Sequence, residues 1–299
     1  MTIKFVFALL LAGLLAIKVN AQPDLNASKV DRNVVFGMYS GLALLMDVYY
    51  PENPNGYGVI HISGSGWTKP LSYDAGLLNH QGHVKIEGEA LVAAGYTLFS
   101  VNHRAVPRFT YPAAVEDVQR AVRFIRFHAE DYGIDPDRIG AVGGSSGGHL
   151  VSMLGVLEGD EVLDDDTPIN KVSAKVQCVI ARAAPTDFTS GGVGEHFINV
   201  RGRDISDPRT KEYKIANEAS PISHISSDDP PFLLVHGEKD DIVPIELSEK
   251  MAEKLKSANI PVKLIRVAGA GHGPGYPGAT NLPDLQSEYV NWLDTHLKK

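Results

Sequence analysis

The sequence has a single cysteine, Cys178, among 299 residues. One thiol cannot form a disulfide within the chain, so the fold must be stabilised by its hydrophobic core rather than by cross-links. Basic residues are also scarce, because 28 Lys and Arg stand against 36 Asp and Glu, which gives a formal net charge of −8. An acidic surface argues against nucleic acid and anionic lipid as the main partners.

Long apolar runs are rare, and the clearest one stands near the start of the chain. Residues 5–17 form an apolar run that follows Lys4 and precedes Val19-Asn20-Ala21. This arrangement is typical of a signal peptide, so we expect residues 1–21 to be removed and the protein to be secreted or periplasmic. A membrane anchor is the alternative. The run is shorter than the roughly 18 residues of a spanning helix, so we expect no stable membrane association.

Short apolar runs rich in β-branched residues recur along the rest of the chain and predict strands. They lie at residues 58–63, 97–101, 139–142, 176–180, 232–235 and 262–267. Helical patterns separate several of them, and the clearest places one apolar stripe after Pro112, formed by Val115, Val118, Val122 and Ile125. This alternation predicts an α/β fold with a mostly parallel sheet and helices on both faces. Residues 34–50 are expected to add one or two antiparallel edge strands.

One region interrupts the alternation. Residues 186–229 contain clustered glycines, charged residues and several prolines. We predict a lid-like insertion over the sheet rather than a second domain, so that residues 22–299 form a single domain. Phe188 lies in this insertion and is a candidate for holding a ring-shaped substrate, with a packing role as the alternative.

Glycines are concentrated around two adjacent serines. The stretch Ala141-Val-Gly-Gly-Ser-Ser-Gly-Gly-His-Leu150 begins within a predicted strand. Glycine tolerates positive φ and close backbone approach, so the pattern predicts a sharp turn with a serine at its apex. Such a turn exposes a nucleophilic hydroxyl and places the following backbone N–H groups at the start of the next helix, where negative charge is favoured. A serine- and glycine-rich surface loop without chemistry is the alternative.

Two later loops carry the groups that would activate such a serine. A serine hydroxyl is a weak nucleophile unless a base takes its proton, and a carboxylate improves that base. His236-Gly-Glu-Lys-Asp-Asp241 supplies carboxylates and Ala270-Gly-His-Gly273 supplies an imidazole, each after a predicted strand. Because the carboxyl ends of parallel strands meet at one edge of a sheet, we expect the three loops to converge.

Together with residues 104–117, these three loops resemble the bacterial carboxylesterases of the α/β-hydrolase fold, a group that includes feruloyl and acetyl esterases acting on plant polysaccharides. The chain order Ser, Asp, His is the one expected in that fold. The resemblance implies an α/β-hydrolase fold and ester hydrolysis through an acyl-enzyme, a reaction that requires no cofactor.

The glycine pattern alone fits either serine, and the resemblance distinguishes them. It places the nucleophile at Ser145 and assigns the backbone N–H of Ser146 to the oxyanion hole. It likewise places the acid at Asp240, with the adjacent Asp241 as the alternative, and the base at His272.

The resemblance also implies a second glycine-rich loop that supplies oxyanion donors. The loop reads Ser63-Gly-Ser-Gly-Trp67, where similar enzymes carry His-Gly-Gly-Gly-Trp. Because the donors are backbone N–H groups, Gly64 and Ser65 can still serve, and loss of one donor typically costs about a hundredfold in rate. The sequence leaves open whether the first serine replaces the usual histidine or His61 takes that role. Trp67 is a candidate substrate contact, with a core position as the alternative.

A metal site is the competing interpretation of four residues near one another in the sequence: His80, His83, Glu87 and Glu89. Their spacing fits no zinc motif, and the serine chemistry needs no metal. We therefore expect neither a metal nor a cofactor.

These observations predict a secreted serine esterase, and the resemblance implies that it hydrolyses acetyl or feruloyl esters on plant polysaccharides. Its partner is an ester substrate, either a small molecule or one linked to a polysaccharide, and the sequence does not specify the acyl preference or the oligomeric state. The alternatives are a serine peptidase of the prolyl-oligopeptidase type and a non-catalytic binding protein.

Overall fold

The computed structural model describes residues 24–80, 82–159 and 167–298. The predicted signal peptide, residues 1–21, lies outside the described residues.

Within the described part of the chain, eight strands form one sheet in the order β1-β2-β4-β3-β5-β6-β7-β8. The first two strands pair antiparallel with each other, and β2 pairs antiparallel with β4, whereas all the remaining neighbours are parallel. The prediction of a mostly parallel sheet with an antiparallel edge is therefore confirmed. The strands are β1 Lys29–Tyr39, β2 Leu42–Tyr50, β3 Gly58–Ile62, β4 Thr97–Val101, β5 Ile139–Gly144, β6 Cys178–Arg182, β7 Phe232–Gly237 and β8 Val262–Val267.

The central strands are apolar because both of their faces are covered. Every residue of β3, β4, β5, β6 and β7 is buried. The edge strands β1 and β8 mix buried, half-buried and exposed positions. A strand buried on two faces needs a continuous apolar run, which is why the central strands could be predicted from the sequence.

Helices cover both faces of the sheet. Val84 and Leu91 from α1 and Leu293 from α7 pack into the core on one face. The α2 stripe, together with side chains of α4 and α6, packs into the core on the other face. Complete burial of one such valine or leucine stabilises the fold by about 1.5–3 kcal/mol. The helices are α1 His83–Ala93, α2 Ala113–Phe127, α3 Ala129–Tyr132, α4 Ser146–Val156, α5 Lys211–Glu218, α6 Glu246–Ser257 and α7 Leu285–Leu297.

Residues 186–229 connect β6 to β7 and contain α5. Buried Phe188 and Phe197 attach this segment to the core on the α2 side of the sheet. The loops that follow β5, β6, β7 and β8 leave the sheet at one edge because these four strands are parallel neighbours. That edge holds the candidate site.

Candidate active site

Ser145 occupies the apex of a sharp turn between β5 and α4. Its φ is +55° and its ψ is −124°, a conformation that is strained for any residue other than glycine. Two hydrogen bonds hold the turn: the amide of Ser145 donates to the carbonyl of Arg182 at 2.7 Å, and the amide of His149 donates to the carbonyl of Ser145 at 3.0 Å. The turn therefore presents its hydroxyl at the carboxyl end of β5.

The glycines around Ser145 are required by close contacts. A Cβ atom on Gly143 would lie 2.7 Å from the carbonyl oxygen of Gly147, and one on Gly147 would lie 2.7 Å from the carbonyl carbon of Ile62. A side chain at either position would force the backbone apart. The alternative of a surface loop without structural demands does not fit this packing.

The structure brings Ser145, His272 and Asp240 into one hydrogen-bonded chain. Nε2 of His272 lies 2.9 Å from Oγ of Ser145, and Nδ1 of His272 lies 2.7 Å from Oδ2 of Asp240. Because an ionised carboxylate can only accept, Nδ1 carries the proton and Nε2 is free to accept the serine proton. The three predicted loops converge as expected from the parallel sheet.

Asp240 is fixed by donors on both of its oxygens. Its Oδ1 accepts hydrogen bonds from the amides of Ile242 at 3.0 Å and Val243 at 2.8 Å. Burial opposes ionisation of Asp240, but hydrogen bonds from His236, His272 and a backbone amide outweigh burial and hold the pKa of the carboxyl well below its usual range. The side chain is therefore an anion at any pH near neutrality.

The neighbouring residues that the sequence left as alternatives lie elsewhere. Asp241 is exposed to solvent. Ser146 is fully buried, and its Oγ accepts a hydrogen bond from the amide of Ser65 at 2.8 Å. Of the two serines, the one whose hydroxyl meets His272 is Ser145.

Two of the three amides expected in the oxyanion hole have acceptors within the protein. The Ser65 amide donates to the Ser146 hydroxyl, and the Gly64 amide faces Nδ1 of His83 at 3.4 Å. Ser146 is the first residue of α4, and the first amides of a helix have no acceptor within that helix. His83 is thus a residue of the site that the sequence analysis considered only as a metal ligand.

A cavity of about 380 Å³ opens at Ser145. One wall is formed by Gly66 and Trp67, and another by Ile242 and Val243. The segment between β6 and β7 closes a third side, through residues that include Val193, Glu195, His196 and Arg201. His196 also connects that segment to the glycine-rich loop, because its Nε2 donates to the carbonyl of Gly66 at 2.8 Å.

The two aromatic residues predicted to contact substrate differ in position. Trp67 lines the cavity but is only 3% exposed, since its ring stacks on Phe197 with centroids 4.6 Å apart and its Nε1 donates to Nδ1 of His149 at 3.2 Å. Phe188 is 1% exposed, lies behind Trp67 at a centroid distance of 5.8 Å and is not part of the cavity wall. Phe188 is therefore a core residue and not a substrate contact, which is the packing role that the sequence analysis gave as the alternative.

A comparison with known families identifies the chain. A family model described as BD-FAE matches residues 46–255, which include the nucleophile turn and Asp240. The chain belongs to the BD-FAE family. The match covers the larger part of the sheet and agrees with the α/β-hydrolase fold that the sequence predicts.

Several curated relatives of this BD-FAE chain are esterases or ester hydrolases by name. The chain is 28% identical over 236 residues to the probable carboxylic ester hydrolase LipM of Mycobacterium tuberculosis, covering 77% of this chain and 52% of that protein. It is 24% identical over 259 residues to an acetylxylan esterase of Xylanibacter ruminicola, covering 83% and 47%. The chain therefore spans about half the length of the curated relatives it matches.

Solved structures confirm the α/β-hydrolase fold. A truncated carbohydrate esterase from gut microbiota superimposes with a TM-score of 0.75 at 26% identity, covering 93% of this chain and 99% of that one. An acetyl ester-xyloside bifunctional hydrolase from Caldicellulosiruptor lactoaceticus superimposes with a TM-score of 0.72 at 23% identity, covering 88% and 95%.

The residues of the alternative metal interpretation are separated in this BD-FAE chain. His80 lies 3.1 Å from a carboxylate oxygen of Asp47, and Glu89 accepts a hydrogen bond from Asn26. His83 and Glu87 instead contact Arg182. Among the described residues, no group of three His, Cys, Asp or Glu is arranged to hold a metal ion. The same residues contain no helix with the length and apolar character needed to cross a bilayer.

Proposed function

We propose that this BD-FAE chain is a serine hydrolase of carboxylic esters. The observation that carries the proposal is the unbroken chain of contacts from Ser145 Oγ to His272 Nε2, at 2.9 Å, and from His272 Nδ1 to Asp240, at 2.7 Å. These distances are within the range for proton transfer along hydrogen bonds. The proposal agrees with the names of two curated relatives, a probable carboxylic ester hydrolase and an acetylxylan esterase.

In the first half of the reaction, Oγ of Ser145 attacks the ester carbonyl carbon while Nε2 of His272 takes the serine proton. The carbonyl oxygen becomes an oxyanion, which the amides of Ser146 and Gly64 stabilise, since Gly64 is the loop amide with only a weak acceptor. The bond from the carbonyl carbon to the alcohol oxygen then breaks. His272 returns its proton to that oxygen, the alcohol leaves, and the acyl group stays on Ser145.

The second half repeats these steps with water. His272 takes a proton from water, the resulting hydroxide adds to the acyl carbon, and the bond to Ser145 Oγ breaks as the proton returns to the serine. Asp240 remains an anion throughout, where it orients the imidazole and stabilises its protonated form. All atoms come from ester and water, so this chemistry uses no cofactor.

We further propose that the natural substrates are acetyl or feruloyl esters on plant polysaccharides. An acetylxylan esterase and a carbohydrate esterase are among the relatives and solved structures that resemble this chain. A cavity of about 380 Å³ suits a short or single-ring acyl group rather than a long fatty chain. The predicted export of the chain would bring it to such polymers.

Labelling with a fluorophosphonate probe tests the serine mechanism. We expect one equivalent of probe on Ser145 and none in the Ser145→Ala variant. The matched control is Ser146→Ala, which should still be labelled because the Ser146 hydroxyl faces Ser65 rather than His272. Absence of labelling in folded wild-type protein would favour a binding protein. Labelling at Ser146 would show that Ser146, and not Ser145, is the nucleophile.

A substrate panel tests the proposed specificity. We expect acetate release from acetylated xylan or ferulate release from methyl ferulate, and rapid hydrolysis of p-nitrophenyl acetate compared with the laurate ester. Chromogenic peptides serve as the contrasting class, and a preference for them would support the peptidase alternative. N-terminal sequencing of protein exported by a bacterial host should give a chain that begins near Gln22.

A further inference from the structure

A set of buried polar side chains lies behind the glycine-rich loop and takes no direct part in the proposed serine chemistry. Its members are Glu87, His61 and Arg182, none more than 2% exposed, and the partly buried His83. They come from α1, β3 and β6, so three separate elements meet beneath residues 63–67. Burying an ion pair is costly unless its hydrogen bonds are well made, so a structural or catalytic reason for this set is required.

The hydrogen bonds in this set fix the state of His83. Nε of Arg182 donates to Glu87 at 2.7 Å, and Nη2 of Arg182 donates to Nδ1 of His83 at 2.9 Å. A guanidinium can only donate, so Nδ1 of His83 is an acceptor and the imidazole is neutral with its proton on Nε2. In agreement, burial lowers the pKa of His83 to about 4.

The other carboxylate oxygen of Glu87 is also occupied. It lies 2.9 Å from Nε2 of His61, which donates to it. Burial opposes ionisation of Glu87, but the adjacent Arg182 and His61 outweigh burial and lower its pKa to about 2. The carboxylate therefore stays charged and holds the guanidinium in one orientation.

The acceptor atom of His83 also faces the glycine-rich loop. The amide of Gly64 points at Nδ1 of His83 at 3.4 Å. Gly64 itself is wedged in place, because a Cβ on it would lie 2.7 Å from Cε1 of His83, 2.6 Å from the carbonyl oxygen of Gly144 and 3.0 Å from Cβ of Ser145. His83 thus contacts the loop at Gly64, which packs against Ser145.

The serine that begins the loop does not fix the loop by its side chain. The hydroxyl of Ser63 is buried and has no hydrogen-bond partner among the described residues. Arg182 contacts both sides of the site, since its side chain orients His83 and its carbonyl accepts the amide of Ser145. Arg182 therefore links the support of the loop to the nucleophile turn, in addition to the direct hydrogen bond from the Ser65 amide to the Ser146 hydroxyl.

We propose that His83, oriented by Arg182 and Glu87, is the positioning residue that holds the Gly64 amide against the nucleophile turn and so preorganises the oxyanion loop. This inference rests on the proposed esterase function. At 3.4 Å the bond from Gly64 to His83 is weak, so the amide can be shared with a developing oxyanion at little cost. His83 acts through Gly64 and touches no reacting atom.

Two substitutions at His83 separate positioning from simple packing. In His83→Asn the amide oxygen takes the place of Nδ1 and can accept from both Arg182 and Gly64, whereas in His83→Gln the amide extends to the place of Nε2. With p-nitrophenyl acetate we expect kcat of His83→Asn within about fivefold of wild type and kcat of His83→Gln lower by about 10- to 100-fold. KM should change less than about twofold in both variants. Thermal unfolding curves give the folded fraction of each variant at the assay temperature, and kcat is corrected for that fraction.

Equal kcat values in the two variants, after correction for folded protein, would overturn the inference, as would a loss confined to KM. Binding of a trifluoromethyl ketone, which forms an oxyanion adduct with the serine, provides a second measurement. Its affinity should fall in parallel with kcat in His83→Gln and be retained in His83→Asn. If wild-type protein neither hydrolyses esters nor reacts with the fluorophosphonate, the proposed function fails instead. The two failures can be distinguished because the proposed function is tested on wild-type protein and the role of His83 is tested on the variants.

Discussion

Oδ2 of Asp240 lies 2.7 Å from Nδ1 of His272, whereas the side chain of the next residue, Asp241, is exposed to solvent. The structure therefore allows a direct comparison of two adjacent carboxylates. One holds the imidazole in the tautomer that can accept the serine proton, and the other forms no hydrogen bond with His272. Their substitutions should have very different effects on an esterase reaction.

We predict that Asp240→Asn lowers kcat on p-nitrophenyl acetate by about 10⁴-fold, because an amide can donate to Nδ1 and favour the wrong tautomer of His272. Asp241→Asn is the matched control and should change kcat less than about twofold. Steady-state kinetics on both variants, with circular dichroism to show that they are folded, is the measurement. Similar losses in the two variants would contradict the assignment of the acid.

A second prediction concerns the glycines of the nucleophile turn. Gly147→Ala should destabilise the protein by more than about 3 kcal/mol, because the new methyl group would overlap the Ile62 backbone. Gly275→Ala, in the loop that follows His272, is the control: its Cβ would meet open space, so stability should change by less than about 1 kcal/mol. Urea denaturation measures both, and a tolerated Gly147→Ala would show that the turn is looser than the structure indicates.

A third prediction separates core packing from substrate contact. Phe188→Leu should lower the free energy of unfolding by about 1–2 kcal/mol and leave KM for p-nitrophenyl acetate within about twofold, because Phe188 is buried behind Trp67. Val193→Ala, on the cavity wall, should do the reverse and raise KM with little loss of stability. A rise in KM for Phe188→Leu at unchanged stability would restore its role as a substrate contact.

Much of the fold and the centre of the site could be predicted because their signals are local. Strands buried on both faces produce continuous apolar runs, and the turn at Ser145 needs glycines within two residues of it. The order of the loops that carry Ser145, Asp240 and His272 then places all three at one edge of a parallel sheet. Each step uses residues that are close in the sequence, or a rule that follows from strand direction.

The support behind the oxyanion loop could not be predicted because its partners are distant in the chain. His83 meets Arg182 across 99 residues, and Glu87 meets Arg182 across 95. Sequence proximity instead suggested that His83 and Glu87 belong with His80 and Glu89, whose side chains contact Asp47 and Asn26. Burial of Phe188 could not be predicted either, because Phe188 lies in an irregular segment whose sequence has no periodicity to indicate which side chains face the core.

The last prediction concerns stability in mild acid, and it follows from three histidines that burial keeps neutral. Burial lowers the pKa values of His83, His103 and His149 to about 4 each. His149 has a defined state, because its Nδ1 accepts from Trp67 and its Nε2 donates to the carbonyl of Ala219 at 2.9 Å. A second proton, on Nδ1, would remove the acceptor for Trp67, whereas the bond from Nε2 to Ala219 would remain.

Between pH 4 and 6.5 the unfolded chain binds protons at these histidines and the folded chain does not, so the free energy of unfolding falls as the pH is lowered. Each histidine contributes at most about 1.4 kcal/mol per pH unit, and about 1 kcal/mol per pH unit near pH 6. We predict that His149→Gln reduces the slope of unfolding free energy against pH by about that amount between pH 5 and 6.5. Urea denaturation at several pH values measures the slope, and the same variant at pH 8, where histidines are neutral in both states, isolates the cost of its lost hydrogen bonds. An unchanged slope would mean that His149 takes up its proton in the folded protein, which the bond from Trp67 to Nδ1 should prevent.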